Sequence, residues 1–363
     1  KAFDVPAVKE NTFLYLKLND EKGAYVIDNF YWLAAAPDVN DWANTDWVRT
    51  PIKKSADFTG LANLSQVNCE VSATVEQEEN DVQIIIVDND SQDGCVEHFR
   101  KIYKGKKYIH IIENENNAGF SRGNNIGYEY VYENIKPDFL VMINSDIECR
   151  QKDFLKRIKE IYTKTHFFVL GPDVYAFRLR IHQSPICKSL PGIREQCQKL
   201  KEQREILDKY EKMSAQGKTY VSTDDRKIRE EKIFNFVKKY HLDLLKPGVA
   251  SYKKKYENVV IHGSAIIFSR EYLNKYIHAL YPEPFYYGEE DLLYLKCMRY
   301  QSKIVYDPSV KVWHAAGASA TNSKGDRCTL KREIFRYENF VKTKELYIEV
   351  LKDENFYENE IRK

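Results

Sequence analysis

Polar and charged side chains in this sequence gather directly after short apolar runs. The run VQIIIV at residues 82–87 is followed by DNDSQDG, YIHII at 108–112 by ENENNAGFSRG, and FLVMI at 139–143 by NSD. Carboxylates and amides in such positions can accept hydrogen bonds, hold a divalent cation or remove a proton from a hydroxyl. These residue types therefore predict a site that combines ligand binding with proton transfer.

The first candidate loop is DNDSQDG. Ligands of open α/β sheets bind beyond the carboxyl ends of the strands, so Asp88 and Asn89 are placed to contact a base or a ribose. A ligand-free turn rich in Asp and Asn uses the same residue types equally well. Both interpretations stay open at this point.

The second candidate loop is NNAGFSRGNNIG at residues 116–127. Gly119 permits close backbone approach, Arg122 can pair with phosphate oxygens, and Asn117 and Asn124 lie beside them. A dinucleotide fingerprint requires G-x-G-x-x-G after the first strand, and this spacing does not match it. The sequence therefore disfavours a dehydrogenase.

The third candidate is the turn that follows residues 139–143. Asp146, preceded by Ser145, could hold Mg²⁺ or Mn²⁺, which take one or two protein oxygens and complete their coordination with diphosphate and water. An isolated Asp at a strand end is more often a simple cap. The similar polar loops after the two preceding strands favour the ligand interpretation.

The fourth candidate lies in FYYGEEDLLYLKC at residues 285–297. Glu289, Glu290 and Asp291 crowd like charges at a predicted helix start, where the helix dipole tolerates them and one could act as a general base. A purely structural acidic cap is the alternative. Further on, His314 is either a second metal ligand or a buried core histidine.

The elements that must position these residues alternate between apolar runs and amphipathic stretches. This alternation predicts an α/β fold with a mostly parallel central sheet flanked by helices. Predicted strands lie at 82–87, 108–112, 139–143, 167–170, 258–268 and 303–306, and predicted helices at 96–103, 121–133, 153–163, 193–210, 224–240, 289–300 and 330–351. Strand-like patterns also occur at 12–18 and 24–33.

Charge and cysteine content narrow the classes of partner. The 56 Lys and Arg nearly balance the 54 Asp and Glu, so no nucleic-acid partner is expected. The 7 Cys form no C-x-x-C pair, which favours reduced thiols and a cytoplasmic location. No apolar run is long enough to cross a bilayer and no signal peptide is recognisable. The charged helical stretches could still contact a partner or a membrane surface.

Seven stretches, taken in order, resemble the family-2 glycosyltransferases of the GT-A fold. The resemblance is greatest to bacterial enzymes similar to rhamnosyl- and galactosyltransferases of surface polysaccharides, including those of capsule and cell wall. It covers about residues 82–319 through IIIVDNDSQDG, NENNAGFSRGNNIG, FLVMINSDIE, VLGPDVY, HGSAIIFS, FYYGEEDLLY and IVYDPSVKVWHAAGAS.

The resemblance implies a role for each candidate residue. Nucleotide-sugar binding falls to Asp88, Asn89, Asn117, Gly119, Arg122, Asn124 and Ser145; metal binding to Asp146 and His314; catalysis to Asp291 as base with Glu290 as its neighbour. The implied cofactor is Mn²⁺ or Mg²⁺. Two departures stand out: the usual Tyr-Asn or Phe-Asn loop does not precede VDNDSQDG, and NSD lacks the first carboxylate of D-x-D.

The implied activity is inverting transfer of a sugar from a UDP- or dTDP-linked donor to a hydroxyl of a glycan or lipid-linked acceptor. A non-catalytic sugar-nucleotide-binding or scaffold domain is the alternative. Peripheral contact with the inner face of the cell membrane and a homodimer stay open. The implied segments are an N-terminal part at 1–80 that packs on or completes the catalytic sheet, a nucleotide-sugar-binding half at 81–182, a helical insertion at 183–256, an acceptor-binding and catalytic half at 257–328, and a C-terminal amphipathic helix at 329–363.

Overall fold

The computed structural model describes residues 12–19, 25–34, 36, 38–41, 52–57, 82–218, 248–315 and 330–362. The chain divides into two compact units, Lys1–Glu76 and Gln77–Lys363. Among the described residues, no helix is both long enough and apolar enough to span a membrane. The second unit contains all the predicted site residues.

The first unit contains two small antiparallel sheets within its described part. Strands β1 (Thr12–Asn19) and β2 (Tyr25–Leu33) form one pair, and β3 (Val39–Asn40) and β4 (Ile52–Lys54) form the other. The strand-like patterns that the sequence shows in the first hairpin are confirmed. The proposed packing of residues 1–80 on the catalytic sheet stays a prediction.

The second unit alternates strands and helices as the sequence predicts. Its strands are β5 (Ile84–Asp88), β6 (Ile109–Glu113), β7 (Phe139–Ile143), β8 (Ile147–Glu148), β9 (Val169–Ala176), β10 (Ile181–His182), β11 (Tyr256–Glu257), β12 (Ala265–Ser269) and β13 (Ile304–His314). Its helices are α1 (Cys95–Ile102), α2 (Gly119–Asn134), α3 (Phe154–Thr165), α4 (Ile193–Ala215), α5 (Arg270–Lys275), α6 (Glu289–Arg299) and α7 (Leu330–Lys352). A short 3₁₀ helix, Glu358–Glu360, follows α7.

The α/β fold is confirmed, but the larger sheet is mixed where the sequence predicted mostly parallel strands. Its strand order is β11-β13-β9-β12-β7, and β12 runs antiparallel to both of its neighbours. Strands β13 and β9 pair in parallel, as do β5 and β6 in a separate sheet. All five residues of β12 are buried, so its continuous apolar run resembles that of a buried parallel strand.

Two strand boundaries also differ from the prediction. Strand β12 begins at Ala265 and not near residue 258, because the backbone of 258–264 turns before it joins the sheet. Strand β13 continues to His314, well beyond the predicted end at residue 306. A register shift between Asp307 and Lys311 lets it pass Pro308.

Helix α2 connects the strand ends that carry the first candidate loops. It packs on both β5 and β7, and a Cβ added to its Gly127 would lie 3.0 Å from Val87 Cγ2. Tyr128 of the same helix is fully buried with its ring edge towards Phe268 at 6.1 Å, and its hydroxyl donates to the Tyr276 carbonyl at 2.9 Å. The polar loops after β5 and β7 are therefore held on one packed scaffold.

Within the described part of the predicted insertion, the one helix is α4, which packs on α7. Arg204 pairs with Glu345 at 2.6 Å, and the Tyr210 and Tyr337 rings meet edge to face at 5.6 Å. The predicted helices at 193–210 and 330–351 are confirmed, and the two charged helices cover part of each other's apolar faces. The second predicted helix of the insertion, residues 224–240, lies outside the described residues.

Candidate functional site

The first predicted site residue, Asp88, ends strand β5 with its carboxylate buried and internally hydrogen-bonded. Its oxygens accept from the Ser91 backbone N–H at 3.2 Å and the Cys95 thiol at 3.5 Å. Burial alone would raise the pKa of Asp88, but the hydrogen bonds from Ser91 and Cys95 outweigh it, so the pKa lies below its ordinary value. Asp88 is therefore an ionised acceptor.

Asn89 joins the loop after β5 to the loop after β6. Its amide nitrogen donates to Asn117 Oδ1 at 3.2 Å and to the Gly119 carbonyl at 3.0 Å. Its amide oxygen accepts from Asn114 Nδ2 at 2.9 Å and from the Ala118 N–H at 3.0 Å. Donor binding by Asn89 and Asn117 stays a prediction, since both amides already bond within the protein.

The start of helix α2 is closed against the segment that precedes the acidic helix. Gly119 has a φ of 79°, and a Cβ there would lie 2.7 Å from the Phe285 carbonyl oxygen, so glycine is needed for both reasons. The Phe120 N–H donates to that carbonyl at 2.8 Å, while Asn125 and Leu280 exchange hydrogen bonds of 2.8 and 3.0 Å. These bonds bring residues of two distant sequence clusters into direct contact.

The two remaining polar residues of this loop lie on the exposed side of α2. Arg122 donates to the Pro282 carbonyl at 3.2 Å and lies 3.6 Å from Glu283, with both side chains more than half exposed. Such a surface pair stabilises the fold by about 1 kcal/mol or less. Asn124 donates to the Phe120 carbonyl at 2.8 Å within the helix.

The structure brings the two predicted metal ligands together. Asp146 Oδ1 lies 3.2 Å from His314 Nε2, and both side chains are largely buried. Strand β13 pairs with β8 here, with His314 opposite Ile147, and the Ala315 N–H donates to the Asp146 carbonyl at 2.9 Å. Ser145, beside Asp146, is exposed.

The hydrogen bonds around His314 fit a cation at this pair. The amide oxygen of Gln183 lies 2.5 Å from Nδ1, a contact that favours the tautomer in which Nδ1 carries the proton and donates it. Nε2 and the Asp146 oxygen then face each other as acceptors unless a proton or a metal lies between them. Burial lowers the pKa of His314, opposed by the Asp146 charge, and Asp146 Oδ2 is buried with no hydrogen-bond partner among the described residues.

A cation at Asp146 and His314 would need ligands from outside the described protein. No group of three His, Cys, Asp or Glu side chains in the described ranges is arranged to hold a metal. Mg²⁺ and Mn²⁺ sites built around one or two protein ligands commonly complete their coordination with water and substrate phosphate oxygens. The donor set present here fits that kind of site.

His262 and Gly263 lie between the two predicted metal ligands and the acidic start of helix α6. The His262 ring centroid lies 6.0 Å from that of His314, and its Nδ1 is 2.9 Å from the Ser264 hydroxyl. A Cβ placed on Gly263 would lie 3.4 Å from Glu289 Oε1 and 3.7 Å from Glu290 Oε2. The absence of a side chain at Gly263 thus leaves space in front of two carboxyl groups.

The acidic helix start carries protonatable groups that burial has strongly perturbed. Gly288, with a φ of 80°, precedes α6, whose first turn contains Glu289, Glu290 and Asp291. Glu289 Oε2 and Glu290 Oε2 are each buried with no hydrogen-bond partner among the described residues. Burial raises the pKa of Glu289 to about 7, and burial together with the Glu289 charge raises that of Glu290 well above its ordinary value.

The third acidic residue, Asp291, has different electrostatic neighbours. Burial raises its pKa, and the charges of Lys344 on α7 and Lys199 on α4 oppose this rise. Glu289 and Glu290 are the carboxyl groups that the structure brings to Gly263. The role of Asp291 as base stays a prediction, and the geometry favours its neighbour Glu290.

The N-terminal part of the candidate site lies in a region that matches a known protein family. Residues 71–185 match the model of glycosyl transferase family 2. The chain therefore carries a family-2 glycosyltransferase domain. Asp88, the loop at 116–127 and Asp146 all lie within this match.

The similar proteins share short stretches with this chain. It is 26% identical over 95 residues to a low-salt glycan biosynthesis hexosyltransferase of Haloferax volcanii, which is 25% of this chain and 28% of that protein. It is 48% identical over 59 residues to an exo-beta-D-glucosaminidase of Streptomyces avermitilis, which is 16% of this chain and 6% of that protein. The chain thus spans less than a third of either relative.

A solved structure of S. aureus TarS, residues 1–349, overlaps 77% of this chain and 64% of its own. The identity is 11% and the TM-score is 0.37, which is too low to support an argument from similarity.

Three residues of the candidate site were not assigned from the sequence. His262 and Gly263 lie in HGSAIIFS, a stretch that resembles the family but suggested no individual role. Nothing in the sequence singled out Gln183 as a site residue, because a lone Gln beside a strand is common. The roles of these three residues, like those of Glu290 and His314, depend on contacts between segments that are far apart in the sequence.

Proposed function

We propose that this protein is an inverting glycosyltransferase that moves a sugar from a UDP- or dTDP-linked donor to a hydroxyl of a glycan or lipid-linked acceptor. The observation that carries the proposal is the placement of two candidate metal ligands and one candidate base on either side of residues 262–263. Asp146 and His314 lie on the His262 side, and Glu290 Oε2, which has no hydrogen-bond partner among the described residues, lies at Gly263.

The donor side of the site is built from the ends of β5 and β7. Asp88 is an ionised acceptor suited to a base or ribose, and Arg122 presents an exposed guanidinium to phosphate. Asp146 and His314 would hold Mn²⁺ or Mg²⁺. The cation, when bound, neutralises negative charge that develops on the departing diphosphate.

Glu290 is the preferred general base. Its Oε2 is both the atom that faces Gly263 and the atom that has no partner in the described chain, whereas in Glu289 these are two different oxygens. The raised pKa makes the Glu290 carboxylate a stronger base than an ordinary glutamate. A single base that removes the acceptor proton is sufficient for inversion by direct displacement.

The biological setting belongs to the same proposal. The resemblance to bacterial surface-polysaccharide enzymes and the hexosyltransferase relative both support a role in glycan assembly. A cytoplasmic enzyme, with peripheral contact at the inner face of the membrane, would meet a lipid-linked acceptor there. A homodimer is compatible with this setting.

A nucleotide-release assay tests the proposal. UDP- and dTDP-sugars are incubated with the protein with and without MnCl₂, and we expect cation-dependent release of nucleotide. Asp146→Asn should lower this release by about 10²-fold, because it removes the carboxylate that holds the cation. Asp153→Asn is the matched control, since Asp153 pairs with Arg157 on the exposed start of α3.

The outcomes separate the enzyme from a binding domain. Binding of a nucleotide sugar without release would support the non-catalytic scaffold. Equal activity of the Asp146→Asn and Asp153→Asn variants would remove the cation from the proposal.

A further inference from the structure

A group of aromatic side chains is exposed beside the acidic helix start. It consists of Phe285, Tyr286 and Tyr287, which precede α6, with Phe335 and Phe340 on α7; we call it the aromatic patch. Phe285 is 38% exposed, Tyr287 36% and Phe335 42%. Large apolar side chains that are exposed together commonly mark a binding surface.

The rings of the aromatic patch contact one another mainly by their edges. Phe285 and Phe335 are nearly perpendicular, at 88° with centroids 6.2 Å apart, and Tyr286 meets each of them at 70°. Tyr287 packs on Phe340 with centroids 4.8 Å apart. Edge contacts leave ring faces available to another molecule.

Backbone contacts fix the aromatic patch in place. The Phe285 carbonyl accepts from the Phe120 N–H at 2.8 Å, and the Tyr287 carbonyl accepts from the Thr343 hydroxyl at 2.9 Å. A Cβ on Gly288 would lie 2.5 Å from Thr343 Cγ2, so the turn after Tyr287 is also closely packed against α7. Such a preorganised surface loses little entropy when it binds a ligand.

The aromatic patch adjoins both halves of the proposed active site. Phe285 covers Gly119 at the start of α2, and Tyr287 is followed within two residues by Glu289. A molecule that rests on these rings would therefore extend towards the Glu290 carboxyl. This is the position that an acceptor must occupy for its hydroxyl to reach the base.

Polar groups within the aromatic patch favour a carbohydrate over a purely apolar partner. The Arg336 guanidinium lies over the Phe340 ring at 5.8 Å and pairs with Glu333 at 2.6 Å. Its Nε is buried and has no hydrogen-bond partner among the described residues. Sugars present apolar C–H faces to aromatic rings and hydroxyls to polar groups, so they match such a mixed surface.

We propose that the aromatic patch is the acceptor subsite, on which sugar rings of a glycan stack so that the reacting hydroxyl reaches Glu290. The inference rests on the proposed glycosyltransferase function and names the substrate class of that site. It assigns Phe335 and Tyr286 to acceptor binding and gives them no part in donor binding.

The test compares acceptor-dependent transfer with hydrolysis of the same donor by water. The probes are cellotriose, maltotriose and the β-1,4-linked trisaccharide of glucosamine; the last is included because of the glucosaminidase similarity. In the wild-type protein, at least one trisaccharide should accelerate nucleotide release. Phe335→Ala and Tyr286→Ala should each raise the KM for that acceptor by about tenfold.

The control variant is Leu155→Ala, which removes a 47% exposed apolar side chain from α3. We expect this control variant to leave both the acceptor KM and the hydrolysis of the donor at their wild-type values. An unchanged acceptor KM in both aromatic variants would overturn the subsite, as would wild-type donor hydrolysis that none of the three trisaccharides accelerates. Absence of any donor hydrolysis or nucleotide binding would instead refute the proposed function itself.

Discussion

The loop around Asn89 and the start of helix α6 both contain clustered polar residues, yet their hydrogen bonding differs. All of the amide atoms of Asn89 bond to Asn117, Gly119, Asn114 or Ala118. At the start of α6, one carboxyl oxygen each of Glu289 and Glu290 is buried without a described partner. Because an unpaired buried acceptor is costly, the second cluster indicates a ligand and the first indicates scaffolding.

The carboxyl pKa values of the two regions differ in the same way. Burial raises the pKa in both, but Ser91 and Cys95 donate enough to Asp88 to bring its pKa below the ordinary value. Burial, together with the charges of Glu289 and Asp291, raises the pKa of Glu290 well above its ordinary value, and no side-chain hydrogen bond opposes this rise. Deeper burial, neighbouring like charges and the lack of donated side-chain hydrogen bonds therefore distinguish Glu290 from Asp88.

The largest expected effect tests the unpartnered carboxyl. Glu290→Gln keeps the side-chain shape but cannot remove a proton, so transfer should fall by about 10³-fold while nucleotide binding is unchanged. Rates come from nucleotide release with a competent acceptor, and binding comes from calorimetry with UDP or dTDP.

Asp291→Asn is the matched comparison for Glu290→Gln, because it makes the same chemical change one residue further along the helix. Asp291 is under the influence of Lys344 and Lys199, so its replacement should cost less than tenfold in rate. A loss with Asp291→Asn as large as that expected for Glu290→Gln would restore Asp291 as the base.

The second effect is a pH dependence of stability that originates at Glu289. Folding raises the pKa of Glu289 from 4.5 to about 7, so the folded protein binds more protons between these values. Wild-type stability should therefore fall as the pH rises through this window, with Glu289 contributing roughly 3 kcal/mol to the fall. In Glu289→Gln that contribution disappears.

Urea unfolding at about pH 5 and about pH 8 measures this effect for both proteins. Glu160→Gln is the control, because Glu160 lies on α3 with about half of its side chain exposed. If the free energy of unfolding fell by the same amount in wild type and in Glu289→Gln, folding would not raise the pKa of Glu289.

The third and smallest effect tests the scaffolding role of Asn89. Asn89→Ala removes four hydrogen bonds and should destabilise the fold by roughly 2 kcal/mol, and it should raise the donor KM more than it lowers kcat. Asn134→Ala is the control, since Asn134 donates to the Tyr130 carbonyl on the exposed end of α2. Asn89→Asp keeps the two acceptor contacts but turns a carboxylate oxygen towards Asn117 Oδ1 and the Gly119 carbonyl oxygen, so it should not restore the lost stability. Equal melting temperatures of Asn89→Ala and Asn134→Ala would contradict this role.

Local patterns were sufficient for most helices and for the short buried strands. Apolar periodicity predicted α4 and α7 closely, and the run FLVMI predicted β7 without error in its bounds. Such patterns could not give the direction of β12, because a short run of buried apolar residues looks the same in a parallel and in an antiparallel strand. Strand β13 was predicted too short for a related reason: its shift in register depends on its partner β9.

For the site, the sequence by itself determined which residue types are available: an acidic helix start, an Asp after a buried strand, a His after another and a family signature over residues 71–185. The tertiary structure decided their use. It placed His314 Nε2 3.2 Å from Asp146 Oδ1 and brought the Glu290 carboxyl, and not that of Asp291, to Gly263. It also engaged the Asn89 amide in hydrogen bonds within the protein. The physical reason is that partner, burial and side-chain direction depend on contacts between distant segments, which no local pattern contains.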